Sequence, residues 1–162
     1  MYLHSRHCRL FEYTITTQNP CAVSLTPDAI GTTTTFFDCL AVTISMQPGD
    51  KTTIAAAVHA IRELCTHPSA IQIVIEGLTS SGAGPARHSF DVLVQLADAL
   101  DVLDELVEQL RGYGERVHLI PYGWNTETYS YISGEPGSQH ILTIVANAQA
   151  GTRTTRRSQD AS

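Results

Sequence analysis

Apolar and polar positions intermix in strand fashion over residues 8–17, where Leu10, Tyr13 and Ile15 stand among polar and β-branched neighbours. Residues 18–35, with Pro20, Pro27, Gly31 and a threonine run, offer too few apolar anchors for a strand and predict a loop. Residues 36–46 predict a second strand buried on at least one face, and Pro48-Gly49-Asp50 predicts a turn. A helix follows over 52–65, with Ile54, Val58, Ile61 and Cys65 on one face and Thr52 or Thr53 as its cap. The short apolar run 70–75 predicts a buried strand that feeds a small-residue loop over 76–85. Helical spacing resumes over 90–110, as one helix or as two broken near Asp101, and Gly112 and Gly114 end it. Strands are expected over 117–120, 126–132 and 141–145, with a turn at Gly134-Glu135-Pro136-Gly137. The pattern gives an α+β domain over 1–148, a mixed β-sheet with two or three helices packed on it. Residues 149–162 are polar and basic and are expected to form a disordered tail.

Composition narrows the setting. A net charge of −6, with Lys51 the lone lysine, argues against a broad phosphate-tracking surface, although not against a pocket for one nucleotide end. The cationic cluster is Arg153, Arg156 and Arg157, in the tail. No apolar run is long enough to span a membrane, and Met1 to Arg6 lacks the pattern of a secretory signal. Cys8, Cys21, Cys39 and Cys65 contain no Cys-x-x-Cys pair and read as reduced thiols of a cytoplasmic protein.

The candidate chemistry is sparse. His4 and His7 fall on opposite faces of a strand, no HExxH or His/Cys cluster occurs, and His59 reads as a surface or boundary residue, so no metal site is expected. The stretch from Thr79 to Gly84 suits a phosphate-binding nest, but a tight strand-to-helix connection explains it equally well. Ser80 and Ser81 lack a local base and a nucleophile elbow. Glu76, ending an apolar strand, is a candidate acid or base, or else points to solvent. Pro121-Tyr122-Gly123-Trp124 either walls a pocket for a stacked base or turns a corner and fills the core.

The order of these pieces resembles the editing domain of archaeal threonyl-tRNA synthetases, which has a fold like that of D-aminoacyl-tRNA deacylases. The resemblance rests on Leu3-His4-Ser5, Glu12-Tyr13, Gly49-Asp50, Thr79-Ser80-Ser81, Pro121-Tyr122-Gly123-Trp124-Asn125-Thr126 and Gly134-Glu135-Pro136, in the family's order and spacing. It covers about residues 1–140, with extra residues in the 82–99 region. It implies a freestanding homodimeric deacylase that hydrolyses a mischarged aminoacyl ester at the 3′ adenosine of tRNA without metal or cofactor. The implied pocket is walled by Met46, Gln47, Glu76, Gly77, Leu78, Ser80, Tyr122, Trp124, Asn125, Thr126 and Gln139.

Three positions depart from the family. Thr126 stands where it has a lysine, Leu78 where it has a histidine, and Gln139 where it has a glutamate. Threonine cannot set an ammonium beside a developing oxyanion, often a large catalytic term. Glu76, Thr126 and Gln139 are nonetheless the candidate catalytic set, Glu76 replacing a residue that is usually aromatic, and His88 is a further candidate. Two alternatives follow: a silent binding module for an adenosine-containing ligand or a synthetase partner, and an esterase turned to a small acyl ester. The apolar second and last strands are expected to offer the dimer edge.

Overall fold

The computed structural model describes residues 1–19, 22–65, 72–79 and 89–145. Its elements are β1 (Tyr2–Gln18), β2 (Thr33–Met46), α1 (Ile54–Cys65), β3 (Gln72–Thr79), α2 (Ser89–Gly112), β4 (Val117–Leu119), β5 (Trp124–Ile132) and β6 (Gln139–Thr143). The six strands form one mixed sheet in the order β4-β3-β2-β1-β5, with β6 also paired to β1. β1 is antiparallel to β2, β5 and β6, whereas β2, β3 and β4 run parallel. Parallel neighbours need a crossover, and α1 and α2 supply the two that β3 requires. The architecture is thus the expected α+β sheet with helices on one face.

Alternation along the strands builds the helix-side core. Leu3 of β1, Leu40, Val42, Ile44 and Met46 of β2, and Ile73 and Ile75 of β3 point one way. Ile54, Ala57, Val58 and Ile61 of α1 close over them, with Leu103, Leu106 and Leu110 of α2. Each fully buried aliphatic side chain contributes roughly 1.5–3 kcal/mol relative to exposure. Gly77 lies so close under Leu103 that a Cβ there would overlap the leucine methyl groups.

A second core forms on the opposite face from Cys8, Phe11, Tyr13, Ile15, Phe36, Cys39, Ala41, Val74 and Ile120. Its existence depends on a reversal of parity. Odd-numbered Leu3 faces the helices, yet odd-numbered Phe11, Tyr13 and Ile15 face away from them. Even-numbered Leu40 faces the helices, yet Phe36 faces away. The reversal occurs at Arg9 and Asp38, the rung missing from a register that otherwise runs from Tyr2–Ser45 to Thr14–Thr33. Asp38 adopts a left-handed backbone with φ 47°, and the β1–β5 register also shifts between Cys8 and Leu10. Irregularities of this kind re-aim side chains and sharpen twist.

Several boundaries differ from the sequence expectation. β1 begins at Tyr2 rather than residue 8, and β2 reaches back to Thr33 because the threonine run pairs with Glu12, Tyr13 and Thr14. β3 continues through Glu76 to Thr79, consuming the start of the expected loop. α2 is one unbroken helix, ended by a left-handed Gly114. β2 is paired on both sides and offers no edge, whereas β6 does. Ser80, Ser81, His88, Cys21 and the 149–162 tail lie outside the described residues. No helix among those described is long and apolar enough to cross a membrane.

Candidate functional site

On the helix-free face, the first turns of pleat in β1 present His4 and Arg6, alternating with inward-facing Leu3 and Ser5. Strand pairing sets Thr43 of β2 beside His4, Glu76 of β3 beside Thr43, and Gln139 of β6 beside Arg6. Arg6 Nη2 donates to Thr43 Oγ1 at 3.4 Å, and Thr43 Oγ1 donates to Glu76 Oε2 at 3.3 Å. The Arg6 guanidinium also sits 5.9 Å from the centre of the Phe11 ring. Its Nε is buried and meets no acceptor among the described residues.

His4 shares a side-chain hydrogen bond with Gln139. Burial, reinforced by the Arg6 charge, holds its pKa below the ordinary histidine value, while the Gln139 bond pulls the other way. The imidazole is therefore neutral at pH 7, able to accept a proton. His4 and Glu76 stand two strand spacings apart, roughly 10 Å. Tyr2, Leu78 and Ile141, all exposed, share this face and give the polar row an apolar border.

The expected site residues divide into separate groups. Glu76 and Gln139 belong to the polar row, with Leu78 at its border and Gly77 turned toward Leu103. Met46 and Gln47 line a different feature, a cleft of about 150 Å³ where β2 and β3 end, walled also by Thr79, Asp98 and Asp101. There Asp50 ties the turn together, accepting from Gln47 N–H at 2.7 Å and pairing with the Met1 amine at 2.8 Å.

The aromatic tetrapeptide turns a corner. Tyr122 is buried in the helix-side core, Gly123 has φ 80°, and Trp124 Nε1 donates to Val23 O at 2.8 Å. Asn125 Nδ2 donates to Thr17 Oγ1 at 2.7 Å, so the Asn125 side chain fastens the far end of β1, whereas that of Trp124 fastens the segment that follows it. Thr126 pairs with Ile15, whereas Gln139 pairs with Arg6; along an extended strand those partners stand roughly 30 Å apart. Thr126 and Gln139 therefore do not share a pocket.

His4, Arg6 and Thr43 were not among the expected site residues. His4 and Arg6 had a visible signal, two polar residues at the i, i+2 spacing that puts both on one strand face. Among the described residues, no group of three or more His, Cys, Asp or Glu side chains is placed to hold a metal ion. No protein-family model matches the chain, and no curated protein matches it. The resemblance to editing domains thus stands on motif order and spacing alone.

Proposed function

We propose that the chain is an aminoacyl-tRNA deacylase-like hydrolase of altered specificity, whose working surface is the polar row on the helix-free face. The observation that carries the reading is a neutral His4 and the Glu76 carboxylate flanking the Arg6–Thr43 hydrogen bond on one surface. In this reading a water positioned by His4 attacks the ester carbonyl, and the imidazole takes its proton. Arg6 supplies positive charge where the tetrahedral oxyanion develops. The departing ribose oxygen then takes a proton from the imidazolium. Tyr2, Leu78 and Ile141 offer apolar surface to the adenine, and a substrate held by its terminal nucleotide suits an acidic protein. The setting is cytoplasmic, in keeping with the free thiols of Cys8, Cys39 and Cys65. The proposal includes a homodimer, which the exposed Phe37 and Tyr131 flanking Leu10 on one face would suit.

The test is a panel of labelled aminoacyl-tRNAs, seryl-tRNA(Thr) among them, alongside small amino-acid esters. Accelerated loss of one or a few charged tRNAs is expected; loss of small esters without tRNA dependence would assign the enzyme to small acyl esters. A second reading, a silent module that holds an adenosine-containing ligand or a synthetase partner, is favoured by one observation. The position of the family's lysine, Thr126, is far from Gln139. Tight binding of a non-hydrolysable aminoacyl-adenosine analogue with no turnover on any substrate would decide for it.

A further inference from the structure

Cys8 and Cys39 are directly opposed on the antiparallel pair β1/β2. Both side chains belong to the same buried cluster, at 3% and 1% exposure, and both thiols are free. Directly opposed residues have Cα atoms about 4.5–5.5 Å apart, inside the 4.4–6.8 Å range that a disulfide spans. The Cys8 thiol donates to the Arg6 carbonyl at 3.6 Å.

Buried cysteines often serve only as small core hydrophobes. Two observations set this pair apart. Cys8 and Cys39 both line a cavity of about 170 Å³, whose rim includes the exposed Arg9, Asp38 and Glu135. The pair also adjoins the missing Arg9–Asp38 rung, where the left-handed Asp38 interrupts the regular ladder beside Cys39.

We propose that Cys8 and Cys39 form a reversible dithiol–disulfide modification site, bridged by exchange with a low-molecular-weight disulfide of the glutathione type. The roles of the two sulfurs are unequal. The neighbouring Cys39 thiol and the Arg6 charge draw the Cys8 thiol below its usual range against the cost of burial, whereas Cys39 is pushed up. Cys8 is the attacking sulfur. Its thiolate attacks one sulfur of the small disulfide, forming a mixed disulfide and expelling one thiolate. Cys39 then loses its proton and attacks the Cys8 sulfur, expelling the second. The two protein thiols supply two electrons and two protons, and the small disulfide leaves as two thiols. The bridge ties β1 to β2 at the place where their side-chain parity reverses. Cys65, whose thiol is pushed up to about 12 by burial and by Glu115, is not a competitor for the first step.

The full-length protein is incubated with oxidised glutathione, alkylated with N-ethylmaleimide, and mapped by mass spectrometry. Trypsin releases Cys8 in the tripeptide His7-Cys8-Arg9, and cleavage after Phe37 separates Cys39 from Cys21. The expected result is the tripeptide bridged to the fragment that carries Cys39, with dithiothreitol restoring two alkylatable thiols. In Cys39→Ala the expected result is a stable glutathione adduct on Cys8. Alkylation of both cysteines after oxidation would overturn the proposal. So would a bridge that runs to Cys21, or a glutathione adduct that persists on Cys8 in the unmodified sequence. Should Cys39→Ala fail to fold, the map of the parent protein decides alone.

Discussion

Tyr13 Oη and His118 Nε2 lie 2.8 Å apart and share a hydrogen bond, although β1 and β4 are separated by two strands in the sheet. In a flat sheet three strand spacings would hold them about 14 Å apart. The sheet therefore curls until its first and fourth strands meet, and Phe36 fills the angle, with its ring centre 4.8 Å from that of His118 and 6.2 Å from that of Tyr13. The parity reversal at Arg9 and Asp38 makes this possible by turning Tyr13 away from the helices. Tyr13→Phe keeps the ring and removes the bond, and is expected to lower stability by about 1 kcal/mol, read from a urea titration.

The same contact gives a pH dependence. Burial, with Arg111 nearby, holds His118 below the ordinary histidine range, and burial does the same for His4. Each folded pKa is depressed, so the unfolded chain binds protons first on acidification. The stability these residues contribute is present above about pH 6.5, the unfolded value, and is lost as pH falls through the folded values. Urea midpoints are expected to fall as pH drops below that point, and His118→Gln to flatten the slope. An unchanged slope in that variant would remove His118 from the account.

Gly77→Ala tests the close approach of β3 to α2. The added methyl group would overlap Leu103, which is fully buried and boxed in by the helix-side core. Overpacking of this kind costs roughly 1–3 kcal/mol. Thermal unfolding of Gly77→Ala is expected below that of the parent, and the pairing of Leu103→Ala with it should recover part of the loss; two independent, additive losses would argue against direct contact.

Asp50 offers a different kind of test, because it serves two partners at the end of β2. Its Oδ1 pairs with the Met1 amine in a buried contact and its Oδ2 accepts from Gln47 N–H. Removing one member of a buried ion pair leaves the other charge uncompensated, at a cost on the order of 3 kcal/mol. Asp50→Ala is expected to show that loss in chemical denaturation, and a change well under it would mean that the amine finds water.

Much of the architecture is legible in periodicity, as α1 illustrates. Ile54, Val58 and Ile61 mark its buried face in the chain and in the fold alike. The start of β1 is obscured because Ser5 and His7, both buried, occupy positions where alternation calls for apolar residues. The threonines at 33–35 look like loop until their partners in β1 are known, since β-propensity is decided by neighbours across the ladder. The reversal at Asp38 has no local signature, because aspartate at positive φ carries no distinguishing neighbour pattern. For the site, Glu76 is legible as a carboxylate ending an apolar strand and Gln139 through motif order, but their company with His4, Arg6 and Thr43 depends on register. Strand register is a tertiary property.

The placement of the polar row makes the catalytic reading separable from the inherited one. Glu76 touches Thr43, which in turn holds Arg6, whereas Thr126 sits beside Ile15 at the other end of β1. If the row does the chemistry, His4→Gln and Glu76→Gln are each expected to lower kcat/KM for the best aminoacyl-tRNA by about a hundredfold. Thr126→Ala is expected to stay within about twofold of the parent. Circular dichroism guards against misfolding in all three. The opposite ranking, with Thr126→Ala inactive and Glu76→Gln unaffected, would move the site to the β5 corner and leave the polar row a structural network. Equal loss in all three would be incompatible with two sites that are roughly 30 Å apart along one strand, because direct contact with the reacting atoms cannot extend that far.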